Sequence, residues 1–185
     1  VVDYAFEIPT TIQSKSIKPI FEGKDLIAQS QSGTGKTGAF TIGYLTKIDP
    51  TKKYPQCIIL ATTRELASQI ENVSKNISKY MNIKTCLTIG GETINVEQNI
   101  KNSKNSHVII GTPGRIKNII NENAFDISKI NSFILDEADA LLGGDFISQI
   151  KEIIVKLPKH TQICVFSATI DKSTLNLTKK FMKNP

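Results

Sequence analysis

No stretch of this 185-residue sequence approaches the ~18 consecutive apolar residues of a membrane-spanning helix, so the chain is expected to be soluble and globular, without a membrane segment. Nothing at its start resembles a signal peptide, and because Val1 is no natural initiator a fragment of a longer protein is expected. Histidine is nearly absent: His107 and His160 stand alone, which leaves little material for a metal site built on imidazoles. Cysteine is scarce too. Cys57, Cys86 and Cys164 lie far apart in apolar segments with no paired spacing, which predicts buried, reduced thiols and a cytoplasmic or nuclear protein. Without a secretory leader, the acceptor-like triplets Asn72-Val73-Ser74 and Asn76-Ile77-Ser78 are coincidences within a helix. Linkers, repeats and long low-complexity tracts are also missing, so one domain is expected over residues 1–185.

What is present is a modest excess of positive charge. Lysine and arginine number 23 against 17 acids, a net charge of +6, which favours polyanionic partners but equally suits a lysine-rich solvated surface.

Short apolar runs alternate with helix-like segments along the whole chain. The runs 25–28, 57–61, 85–89, 107–110, 132–135 and 162–166 are rich in β-branched or aromatic residues, as in strands covered on both faces. Between them, 36–48, 64–80, 96–102, 115–121 and 146–157 carry apolar residues at helical spacing. In one of these segments Leu66, Ile70, Val73 and Ile77 form a stripe expected to face the core. Strict alternation predicts an α/β fold, a mostly parallel sheet with helices on both faces, and ligands then gather where strand C-termini meet helix N-termini.

The unusual residues fall at those junctions. Ser30-Gln31-Ser32-Gly33-Thr34-Gly35-Lys36-Thr37 follows a predicted strand and opens a predicted helix, the context of a phosphate-binding loop, with Ser30 where the pattern has its first glycine. Gly33 and Gly35 allow the backbone to turn its N–H groups inward as an anion nest, with Ser32 and Thr34 completing the loop. Lys36 would reach the β- and γ-phosphates, and the Thr37 hydroxyl would bind Mg²⁺. A glycine-rich turn capped by a threonine is the structural alternative.

At the end of the 132–135 run stand Asp136, Glu137, Ala138 and Asp139. An aspartate at a strand tip can hold Mg²⁺, and a glutamate beside it can polarise an attacking water. Alone, these carboxylates would equally serve as an acidic helix N-cap.

Together the motifs resemble the DEAD-box RNA helicases, in order and over nearly the whole chain. Asp136-Glu137-Ala138-Asp139 is similar to the motif that names the family, and residues 6–13, Phe6 to Gln13, resemble its Q motif, with Ala5 where glycine is common. Thr63-Arg64-Glu65-Leu66-Ala67 resembles motif Ia, with Thr62 where proline is usual. Gly90-Gly91, Thr112-Pro113-Gly114-Arg115 and Ser167-Ala168-Thr169 resemble the double-glycine motif, motif Ib and motif III.

The resemblance implies a RecA-like P-loop NTPase domain that binds ATP and Mg²⁺ and the backbone of single-stranded RNA. It implies catalytic roles for Glu137, Lys36 and Asp136, with Mg²⁺ at Thr37 and Asp136. ATP would be held by Phe6, Ser32, Gly33, Thr34, Gly35, Lys36 and Thr37, and adenine would be read by the Gln13 amide, which can donate and accept at once. Arg64, Gly91, Thr112 and Arg115 would contact RNA phosphates and sugars without regard to sequence. Read singly, these four are also explained as solvated first-turn residues, a turn and a strand stop. Asp139, Ser167 and Thr169 would couple the nucleotide to the RNA face, although Ser167-Ala168-Thr169 also suits a helix cap before Asp171. The family further implies a second RecA-like domain, whose arginines complete the γ-phosphate site, and regulatory protein partners. Unwinding or remodelling of RNA is the expected activity; an ATP-gated RNA clamp that does not unwind is the alternative. Within the family, residues 28–37, 126–135 and Thr161-Gln162 look similar to the subgroup working in nuclear mRNA export, with the translation-initiation helicases as a second similar subgroup.

Overall fold

A computed structural model of the chain describes residues 8–91 and 96–185. Six strands, β1 (Leu26–Gln29), β2 (Cys57–Leu60), β3 (Thr85–Thr88), β4 (Val108–Gly111), β5 (Ser132–Leu135) and β6 (Gln162–Ser167), form one sheet in the order β1-β6-β5-β2-β4-β3. Every pairing is parallel. The helices are α1 (Thr11–Phe21), α2 (Lys36–Leu45), α3 (Arg64–Ile77), α4 (Val96–Lys104), α5 (Pro113–Asn121), α6 (Ala138–Leu142), α7 (Phe146–Lys156) and α8 (Lys172–Thr178). The expected α/β architecture is therefore present.

Strand periodicity shows why helices cover both faces. Cys57 and Ile59 of β2, Ile134 of β5 and Cys164 and Phe166 of β6 point into one core with Ile20, Phe40, Tyr44 and Ile70 from α1, α2 and α3. Their neighbours Ile58, Leu60, Phe133, Leu135 and Val165 point into a second core with Ile116, Ile119, Leu141, Ile150 and Ile153. The three cysteines are buried and free, and burial raises all three thiols, Cys164 to about 12.

Some boundaries move for identifiable reasons. The first strand starts at Leu26 because the Asp25 carboxylate is used elsewhere, accepting from the backbone N–H of Ile163 at 2.8 Å and of Lys183 at 2.5 Å. The buried stripe of α3 is Ala67, Ile70 and Ser74, flanked by Leu66 and Ile77. Ser74 can be buried because it donates to Ile70 O and receives the Tyr44 hydroxyl at 2.6 Å. Three helices lie outside the predicted segments: α1, α6 and α8. The helix cap after β6 is not made by Ser167-Ala168-Thr169: Ser167 is the last residue of β6, and Asp171 itself caps α8 through the Thr174 N–H at 2.7 Å.

Candidate functional site

Apart from the Q-motif residues at the start of α1, the motif residues within the described chain emerge at the C-terminal edge of the parallel sheet, because each strand runs the same way and hands over to a loop there. The loop 30–35 leaves β1, the acids leave β5, and Ser167 ends β6. A cleft of about 680 Å³ lies between them, lined by Ser32, Gly33, Gly35, Lys36 and Thr37 on one side and Asp136, Glu137, Asp139 and Ala168 on the other.

Left-handed backbone at Gly33 (φ 77°) and Gly35 (φ 94°, ψ 20°) makes the loop turn, and Gly35 is the N-cap of α2. A Cβ at Gly35 would stand 2.8 Å from the Gln13 side-chain nitrogen, so a larger residue would have to displace that amide in addition to straining the left-handed backbone. Ser30 has a structural role: its N–H donates to Ser167 O at 3.0 Å, its hydroxyl pairs with that of Thr34 at 2.5 Å, and its carbonyl accepts from Lys36 Nζ at 2.7 Å. The lysine is thus folded over the loop, its ammonium carried by a neutral carbonyl that a phosphate would outbid.

Asp136 is 3% exposed and accepts one backbone N–H, from Glu137 at 3.0 Å. Burial raises its pKa to about 6, against the opposing effects of that N–H and of the Lys36 charge. A buried, under-solvated carboxylate facing a loop hydroxyl, Thr37, is a donor pair that fits a hard divalent cation, and the fit rests on this geometry.

Glu137 is the left-handed N-cap of α6 (φ 53°, ψ 51°), an uncommon conformation for a residue with a Cβ. Its carboxylate receives the Thr62 hydroxyl at 2.5 Å. Asp139 receives the Thr169 hydroxyl at 2.7 Å and N–H at 3.2 Å, while its own N–H donates to Ser167 Oγ at 3.1 Å. Partial burial works to raise the Asp139 pKa, but bonds from Thr169, Ser167 and Ala140 together outweigh it and hold the carboxyl below its usual range. Asp139, Ser167 and Thr169, the residues expected to couple the two faces, are therefore in direct contact.

Gln13 is buried, and the structure places its amide differently from the sequence expectation. Its Oε1 accepts Thr10 N–H at 3.0 Å in a capping box that starts α1, and its Nε2 reaches Gly35 O at 3.4 Å. The amide thus ties α1 to the phosphate loop, and Gln13 is absent from the cleft lining. Phe6, the other adenine candidate, lies outside the described residues.

Arg64 and Arg115 converge on Gly90-Gly91: a Cβ at Gly90 would lie 3.7 Å from Arg115 Nη2 and 3.8 Å from Arg64 Nη2. Thr112, at the N-cap of α5, makes no side-chain capping bond, and its N–H donates at 3.3 Å to the carbonyl of Thr88, two residues before Gly90. Two arginine forks, glycine backbone and a threonine hydroxyl make a cradle suited to anionic backbone oxygens. Sequence reasoning missed Gln69, which lines the cleft with Leu66 three residues earlier on the same face of α3. It also gave no role to Thr62, whose only signal was its departure from a proline.

A family model described as DEAD/DEAH box helicase matches residues 10–177. Eukaryotic initiation factor 4A of Caenorhabditis elegans is 42% identical over 185 residues, covering 100% of this chain and 46% of that protein. The ATP-dependent RNA helicase FAL1 of Kluyveromyces lactis is 47% identical over 185 residues, covering 98% and 46%. Among solved structures, a DEAD box protein from the hyperthermophile Methanococcus jannaschii superposes with a TM-score of 0.92 at 34% identity, covering 99% of this chain and 50% of that one. Saccharomyces cerevisiae Dbp5 bound to RNA and ADP BeF3 gives 0.88 at 33%, covering 99% and 46%. The chain spans about half the length of these relatives.

Proposed function

We propose that this chain, which belongs to the DEAD/DEAH box helicase family, is the nucleotide-binding RecA-like half of an ATP-dependent RNA helicase and works with a second RecA-like domain of the same protein. The observation that carries the reading is the cleft itself, which sets Gly33–Thr37 against Asp136 and Glu137. In this assignment the Ser32–Thr37 loop cradles the β- and γ-phosphates of ATP, with Lys36 turned from Ser30 O to the phosphate. Thr37 and Asp136 hold Mg²⁺, which neutralises charge on the phosphate oxygens. Glu137 accepts the proton of a water whose oxygen bonds to the γ-phosphorus as the bridge to the β-phosphate breaks, releasing ADP and phosphate. Gln13 reads adenine by exchanging its Gly35 contact for the base, and Phe6 belongs to the same motif.

Arg64, Gly91, Thr112 and Arg115 form the RNA cradle, in keeping with solved Dbp5 bound to RNA. Asp139, Ser167 and Thr169 link it to the nucleotide, since their hydrogen bonds join the β5 and β6 exits. Regulatory proteins are a further proposal, supported by Dbp5 structures that contain Nup159 and Gle1. An mRNA-export role is the finest of these proposals. It rests on the loop at 28–37, with residues 126–135 and Thr161-Gln162 pointing the same way, and has initiation factor 4A and FAL1 at 42% and 47% identity as the competing resemblance. The place where poly(A) RNA accumulates on depletion of the protein checks it.

The deciding experiment is RNA-stimulated ATPase and duplex displacement by the protein carrying both halves. Activity is expected, and Glu137→Gln should abolish turnover while retaining nucleotide binding; turnover at the wild-type rate in that variant sinks the assignment. ATP-dependent RNA binding without strand release would instead identify a clamp.

A further inference from the structure

The contact between Thr62 and Glu137 follows from sheet register. Strands β2 and β5 are neighbours with Leu60 opposite Leu135, and the pairing continues past the strand ends through Asp136 N–H to Leu60 O at 3.1 Å. Two residues further along each chain stand Thr62 and Glu137, so the ladder itself delivers one side chain to the other. Thr62 has little freedom to move away. The residue before it, Ala61, donates to Gly111 O at 2.9 Å, and the residue after it, Thr63, caps α3 through Leu66 N–H at 3.1 Å. The Glu137 backbone is held as well, because its carbonyl accepts from both Ala140 and Leu141 at 3.0 Å. What remains loose is the glutamate side chain, and the Thr62 hydroxyl is the hydrogen-bond partner of that carboxylate among the described residues.

We propose that Thr62 is a positioning residue for Glu137: by donating to Oε2 it fixes the rotation of the carboxylate and leaves Oε1 to take the proton of the attacking water. The inference rests on the ATPase reading above and adds to it a residue at which this chain departs from the family pattern. A glutamate must freeze several side-chain torsions before it can act as a base. Here part of that ordering is done in advance by a group outside the phosphate loop and outside the acidic motif. The short β-branched threonine suits the task, since few rotamers compete with the one that donates. Because the hydroxyl acts through Glu137, its effect belongs in turnover and leaves substrate binding alone.

The test uses the protein carrying both halves, with Thr62→Val, which keeps the shape and loses the donor, and Thr62→Ser, which keeps the donor. Thr62→Val should lower the RNA-stimulated kcat by roughly tenfold to a hundredfold, with KM for ATP and half-saturating RNA within about twofold, and Thr62→Ser should restore most of the loss. A readout independent of turnover comes from threonine-methyl NMR of the nucleotide-free protein: Thr62 should hold one χ1 rotamer in the wild type and average over several in Glu137→Ala. The positioning role is overturned by wild-type or higher kcat in Thr62→Val, by a rise in KM matching the fall in kcat, by failure of Thr62→Ser to recover, or by a Thr62 rotamer indifferent to Glu137→Ala. Those results with Glu137→Gln inactive leave the ATPase reading intact. A wild type without RNA-stimulated hydrolysis, or an active Glu137→Gln, removes that reading and this inference with it.

Discussion

Asp136 is costly to the fold as it stands. Its carboxylate has left water almost entirely and gained one backbone N–H in return, and burial dominates the rise of its pKa from 3.8 to about 6. An acid whose folded-state pKa is raised destabilises the fold once both states are ionised, that is above about pH 6. The penalty fades as pH falls toward 3.8 and is gone below it, where the carboxyl is protonated whether or not the chain is folded. Asp136→Asn removes the charge and keeps an oxygen for the Glu137 N–H. With a chelator present and at pH 7.5, the variant is expected to melt on the order of 5 °C above the wild type, and the gap should close as the pH is lowered to about 4. Thermal melts followed by circular dichroism measure it; a variant less stable at pH 7.5, or a gap indifferent to pH, contradicts the assignment. The same residue would thus be a liability in the empty protein and a ligand when a cation arrives.

At the scale of elements, β4 has no room for a side chain at the point where it pairs with the end of β3. A Cβ on Gly111, the last residue of β4, would fall 1.8 Å from the backbone oxygen of Thr88, an overlap that only separation of the strands relieves. Gly111→Ala is therefore expected to cost several kcal/mol and to loosen the Thr112-Pro113-Gly114-Arg115 turn that follows. Urea denaturation measures the first effect, and wild-type stability would remove the argument. No periodicity in the sequence announces this requirement. The strands themselves were legible because residues such as Ile58 and Ile59 are buried on opposite faces of one sheet, so each strand reads as a continuous apolar run. What escaped is what polar partners decide. Ser74 enters the core on a hydrogen bond from Tyr44, Asp25 is taken from β1 by Ile163 and Lys183, and Gln13 spends its amide on Thr10 and Gly35. The phosphate loop was legible from its glycines and lysine between a strand and a helix, and the acidic strand end only beside that loop, since alone its carboxylates suit a helix N-cap equally well. Thr62 was visible only as an oddity, since its meaning depends on the register of two strands 75 residues apart in the chain.

Across the whole molecule, one sheet edge carries both the nucleotide cleft and the Arg64–Arg115 cradle. Within the cleft the described positive charge is that of Lys36, already committed to Ser30 O until a phosphate displaces it. The two arginines sit at Gly90-Gly91 instead, on the face proposed for RNA. Nothing lining the cleft is therefore placed to meet charge that develops on the far side of a γ-phosphate, and in phosphoryl transfer such an arginine is worth ~10³ to 10⁵ in rate. The 185-residue chain alone is accordingly expected to bind a Mg²⁺–ATP analogue, measurable with a fluorescent nucleotide, while its hydrolysis stays at least about a thousandfold below that of the protein with both halves. Affinity for single-stranded RNA should also be weaker, with a shallower dependence on salt, since fewer phosphates are neutralised. Adding the second domain as a separate chain should recover part of the turnover in proportion to its concentration. Full RNA-stimulated activity in the isolated chain would overturn the division of labour, because the catalytic charge would then have to come from residues already present at this edge.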